Sequence, residues 1–232
     1  MNWIQDITGL FKNISNPKGV ETDLLSKINN NPDLLKVYQG KMTLRNWYSL
    51  GEYGPALVLL KSEFGKLGYN VGKPAAPDIS AEIIYDFQRI CGLYEGGGTI
   101  IGAGTLRSLV AASEAAKSGK SWRKAVAGMH DGKVTKDMKK IRNIHEKLSD
   151  IKIGYQGFDL GWDPPKILID AYLSLGFNVK GENLLYANYK FQIISGVNEQ
   201  KSLYRNYGPS THKALIKAFK ALEEGKDWRA AF

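Results

Sequence analysis

Cysteine occurs once in the 232 residues, at Cys91, and histidine three times, at His130, His145 and His212. A single cysteine excludes an intrachain disulfide and any multi-cysteine metal site. His130 and His145 lack Cys or Asp partners at ligand spacing, so little material exists for a zinc centre and no metal is expected. No run of 18 apolar residues occurs, so no transmembrane helix is expected. Met1–Leu10 carries no Lys or Arg, and Asp6 interrupts its apolar stretch. No signal peptide is therefore expected. Nothing pairs a nucleophile with a base, no acidic pair of the glycosidase kind stands out, and Gly96-Gly97-Gly98 is not followed by a GKS/T phosphate loop. The expectation is a protein without catalytic residues, metal or cofactor.

The composition that remains is that of a folded domain. Hydrophobic residues make up 43% and charged residues 24%, near the averages for globular proteins. The net charge is +9, and most of it is local. Lys117–Lys147 holds ten Lys/Arg against Asp131, Asp137 and Glu146, a local excess of +7. Such a stripe suits nucleic acid, anionic lipid or an anionic wall polymer, or is a solvated linker helix. No DNA- or RNA-binding motif accompanies it, so nucleic acid is not the expected partner.

The chain repeats itself. Leu67-Gly68-Tyr69-Asn70-Val71 returns as Leu175-Gly176-Phe177-Asn178-Val179. Tyr85-Asp86-Phe87-Gln88 returns as Tyr189-Lys190-Phe191-Gln192, and Gly92-Leu93 as Gly196-Val197. Gly102-Ala103-Gly104-Thr105 returns as Gly208-Pro209-Ser210-Thr211. Gly119-Lys120-Ser121-Trp122-Arg123 returns as Gly225-Lys226-Asp227-Trp228-Arg229. The order is kept at offsets of 104 to 108, which predicts a tandem duplication. Its units are 21–126 and 127–232, after an N-terminal arm over 1–20.

Each unit predicts three helices. In the first, Pro55 opens a helix that carries Leu57, Leu60, Phe64 and Leu67, and Gly68 ends it. Ser80 caps a second helix with Ile83, Ile84 and Phe87 inward, and Thr105 begins a third. Pro164-Pro165, Leu185–Phe191 and Thr211–Phe219 mark their counterparts. Thr135–Leu148 predicts an extra amphipathic helix with Met138, Ile141, Ile144 and Leu148 on its apolar side. Leu24–Tyr48 predicts another, interrupted near Asn29–Pro32. Trp3, Ile4, Ile7, Leu10, Phe11 and Ile14 give the arm helical spacing, suited to a membrane surface or to docking on its own body or a partner chain, with docking favoured because Lys12 is the one cation on its polar face.

Each copy resembles the peptidoglycan-binding domain family, a three-helix module found on wall hydrolases. The resemblance covers about 53–111 and 161–219. Its carriers are Leu67-Gly68-Tyr69, Phe87-Gln88, Gly92-Leu93, Gly102-Ala103-Gly104-Thr105 and Leu109, with their counterparts through Leu215. It implies a mainly α fold: two tandem three-helix repeats, extra flanking helices and an N-terminal helical arm. In each unit the Phe plugs the core and the Thr hydroxyl caps backbone N–H groups. The loops Gly72–Ser80 and Lys180–Leu184 depart from the family, lacking its Asp-Gly, Phe-Gly and Thr. The candidate ligand-binding residues are Tyr69, Tyr85, Gln88 and Arg107, with counterparts Phe177, Tyr189, Gln192 and Lys213. Aromatic rings there would stack on sugars and amides would bond to hydroxyls.

Two functions fit. One is a structural or assembly protein of a phage tail, baseplate or related particle, made in the bacterial cytoplasm. Its arm would hold protein partners and its repeats would contact peptidoglycan or another anionic wall polymer. The other is a dedicated peptidoglycan-binding module of a wall-lytic system.

Overall fold

A computed structural model describes residues 23–45, 54–72, 79–93, 98–154, 157–160, 164–179, 183–197 and 206–232. The arm over 1–20, most of the loop Gly72–Ser80 and the start of Lys180–Leu184 lie outside them. The fold is mainly α, with few strands.

The chain enters through α1 (Asp23–Asn29) and α2 (Pro32–Tyr38). The Asn31 side chain between them accepts the Asp33 and Leu34 amides, and Pro32 suits the first turn. β1 (Leu44–Arg45) follows, then α3 (Gly54–Lys66) and α4 (Ala81–Cys91). β2 (Ile100–Ile101) pairs antiparallel with β1, Leu44 opposite Ile101. α5 (Ala103–Lys117) and the short α6 (Trp122–Val126) complete this half. α7 (Met138–Asp150) leads into β3 (Phe158–Asp159), α8 (Lys166–Ser174) and α9 (Asn183–Ser195). β4 (Asn206–Tyr207) pairs with β3, then α10 (Pro209–Glu223) and a 3-10 turn (Trp228–Ala231) close the chain. The two small ladders were not foreseen. Each is only two residues long, too short to show alternation.

The two halves use the same internal bonds. Gln88 Nε2 donates to the Ile100 carbonyl at 2.7 Å and to Thr105 Oγ1 at 2.9 Å. Gln192 Nε2 donates to the Asn206 carbonyl at 2.9 Å and to Thr211 Oγ1 at 3.0 Å. In each half a buried amide thus ties the second long helix to a strand and to the third. Four rings pack in each core: Phe64, Tyr69, Phe87 and Trp122, then Tyr172, Phe177, Phe191 and Trp228. Phe87 and Trp122 are 5.8 Å apart, Phe191 and Trp228 5.7 Å, a spacing favoured for aromatic pairs.

The threonines differ from expectation. The residues that open α5 and α10 are Gly102 and Gly208, without side-chain caps. Thr105 and Thr211 sit inside the first turn, buried, and their hydroxyls meet glutamine amides rather than backbone N–H groups. α7 also begins later than predicted. Asp137 accepts the Lys140 amide and so starts the helix at Met138, which is exposed; Ile141, Ile144 and Leu148 alone are buried.

Candidate functional site: the seam between the halves

α9 differs from its counterpart α4. On α4, Ile83, Ile84, Phe87, Gln88 and Ile90 are buried while Tyr85, Asp86 and Arg89 are half-buried. On α9, Leu184 and every residue from Ala187 to Ile194 are buried. A helix apolar or covered all round must pack on two sides. One side meets its own core through Phe191. The other meets the first half.

That second side forms a polar, aromatic seam. Tyr186 on α9 meets Tyr85 on α4 edge-on, with ring centroids 5.9 Å apart. The Arg89 guanidinium lies 4.6 Å over Tyr85 and 5.8 Å over Tyr186, a cation–π pairing. The Tyr69 hydroxyl donates to Asp86 Oδ2 at 2.8 Å. Arg123 lies 4.8 Å over Trp122 and 5.9 Å over Tyr69. Burial, opposed by Arg123 and reinforced by Asp86, pushes the Tyr189 phenol up to about 12.

A buried ion pair anchors the seam. Lys190 Nζ stands 2.5 Å from Asp131 Oδ2, with side chains 0% and 1% exposed. Lys190 also lies 5.5 Å over the Phe177 ring. Burial lowers its pKa, and Asp131 opposes that effect. Asp131 belongs to the turn after α6, which wraps the end of α4: Gly128 N donates to the Ile90 carbonyl and His130 N to the Cys91 carbonyl, both at 2.8 Å. Glycine is required at two places here. A Cβ on Gly92 (φ +83°) would lie 2.9 Å from the Asp131 amide, and one on Gly128 (φ +67°) 2.7 Å from its carboxylate. Cys91 is wholly buried, and burial raises its thiol far above the usual range.

The structure places the candidate residues in three environments. Tyr85 and Tyr189 lie at the seam, whereas Tyr69 and Phe177 are rings of the two cores that touch its edge through Asp86 and Lys190. Gln88 and Gln192 are inside the two cores. Arg107 and Lys213 lie elsewhere: an Arg107 Nη donates to the Tyr38 carbonyl at 3.1 Å with the guanidinium over the Tyr38 ring, and Lys213 is exposed on α10. Sequence reasoning missed Lys190 and Asp131. A lysine inside the otherwise uncharged segment Asn183–Ser195 was the available signal, since such a charge is buried only when paired. Comparison with protein-family models, curated proteins and solved structures gives no match.

Two histidines sit in covered positions. His130 Nε2 is 2.9 Å from Ser108 Oγ, and burial, helped by Arg107, lowers its pKa. His212 Nδ1 is 2.8 Å from the Tyr207 hydroxyl, and burial lowers its pKa against the Ile151 and Leu148 carbonyls. Both resist protonation when folded, whereas the unfolded chain protonates near pH 6.5. The unfolded state then binds more protons, so stability present above about pH 6.5 is lost as pH falls toward the folded-state values. Thermal midpoints are expected to drop over this interval. The His130→Asn/His212→Asn double variant should flatten that drop; an unchanged slope would remove the two imidazoles as its cause.

Proposed function

We propose that the chain is a non-catalytic structural component of a particle that meets the bacterial cell wall, such as a phage tail or baseplate. In this reading it is built from two tandem copies of a peptidoglycan-binding-domain-like module. The paired Gln–Thr bonds and paired four-ring clusters support the duplication. The observation that carries the functional reading is the use of Tyr69, Tyr85, Phe177 and Tyr189. In a wall-binding module such rings would be free to stack on sugars. Here Tyr85 and Tyr189 are taken up by the seam and Tyr69 and Phe177 by the two cores, so the units serve as packing blocks.

Mass spectrometry of gradient-purified particles from cells that make the protein tests this. The chain should co-purify at a fixed ratio to other particle components. Its absence from particles, with the protein monomeric in the lysate, would contradict the reading.

The alternative is a dedicated peptidoglycan-binding accessory of a wall-lytic system. Saturable retention on purified sacculi that Tyr85→Ala abolishes would favour it.

A further inference from the structure

The outer face of α7 is a surface that the seam does not use. α7 rests on the body through Ile141, Ile144 and Leu148, leaving Lys136, Lys140 and Lys147 exposed. Lys140 and Lys147 are two turns apart on one flank, about 10 Å along the axis, and Lys136 precedes the Asp137 cap. Among the described residues none of the three makes an ion pair. A shallow open groove on the face is lined by Lys139, Lys140 and Arg142 together with Asn143, Asp137 and Glu146.

We propose that this flank docks a linear, base-free phosphodiester polymer of the poly(glycerol phosphate) kind. Three features select it. Lys140 and Lys147 stand in one file along the helix, with Lys139 and Arg142 farther round it, so a single chain with one charge per repeat can follow the file. No Phe, Tyr or Trp lies between Lys133 and Lys152, and the one imidazole there, His145, is turned to Glu223 at 2.9 Å, so the flank offers no stacking platform for bases. Glu146 and Asp150 occupy the crest beside the row, where a duplex wide enough to span the face would press its phosphates on them. A narrow chain on the flank avoids both. The inference rests on the wall-contact part of the reading above, but needs no glycan binding.

The test is fluorescence anisotropy of labelled synthetic poly(glycerol phosphate) with the full chain, over a salt series. Binding at low salt should weaken about tenfold in Lys140→Gln/Lys147→Gln, and the log–log salt slope should fall by roughly 1.4, near 0.7 per lost phosphate contact. Lys36→Gln on α2 should leave it unchanged. Oligo-dT or duplex DNA of equal charge binding as tightly would make the face a nucleic-acid surface and overturn the proposal. Absence of binding at low salt, or indifference to the paired substitution, would overturn it too. Sacculi stripped of phosphodiester polymers report on the module reading alone, so the two can fail separately.

Discussion

Asp131→Asn destabilises the chain by about 3–5 kcal/mol, and Lys190→Met by a similar amount, because each breaks a buried ion pair by removing one of its two charges. The geometry argues for the upper part of the surface-to-buried scale. The side chains are 0% and 1% exposed and 2.5 Å apart, so water cannot take over from the missing group. Exposed ion pairs are worth at most about 1 kcal/mol. The double variant Asp131→Leu/Lys190→Met should recover much of the loss, since a packed apolar pair in place of a buried ion pair is often neutral or stabilising. Denaturant midpoints of the four proteins check this. A loss under about 1 kcal/mol in both single variants would mean that the pair is solvated and does not anchor the seam.

Trp228→Ala is expected to cost about 3–5 kcal/mol, the range for deleting a large aromatic from a packed core. Trp228 is 0% exposed and lies against Phe177 and Phe191 at 5.6 and 5.7 Å. Its counterpart Trp122 offers an internal control. Trp122 Nε1 donates to the Leu67 carbonyl at 2.9 Å, whereas Trp228 Nε1 finds no acceptor among the described residues. Substitution by Phe keeps most of the ring in both places. It should therefore cost about 1 kcal/mol more at 122 than at 228, the net worth of one hydrogen bond. Equal costs would show that the Leu67 bond adds nothing.

The helices were legible because their apolar spacing and their terminators were strong. Gly92 ends α4 in the left-handed conformation, and Asn31-Pro32 divides α1 from α2, both as the residue types require. Met138 misled because periodicity alone cannot see a cap: Asp137 fixes the helix start and leaves Met138 at the exposed end. Thr105 and Thr211 misled because a threonine near a helix start ordinarily caps it, and here a glutamine from another helix takes the hydroxyl. The seam was illegible for a different reason. Tyr85 and Tyr189 align in the repeat, yet one is half-buried and the other 1% exposed. Nothing local to either residue encodes which unit covers the other. That information lies in Lys190 and Asp131, 59 residues apart in sequence.

The rings that resemble a ligand groove are instead used inside the molecule, Tyr85 and Tyr189 at the seam and Tyr69 and Phe177 in the two cores. Titrating a disaccharide-peptide fragment of peptidoglycan into the isotope-labelled chain, followed by amide NMR shifts, tests this most directly. No saturable shift is expected along α4 or α9. A saturable shift centred on Tyr85–Arg89 and Tyr186–Gln192 would contradict it.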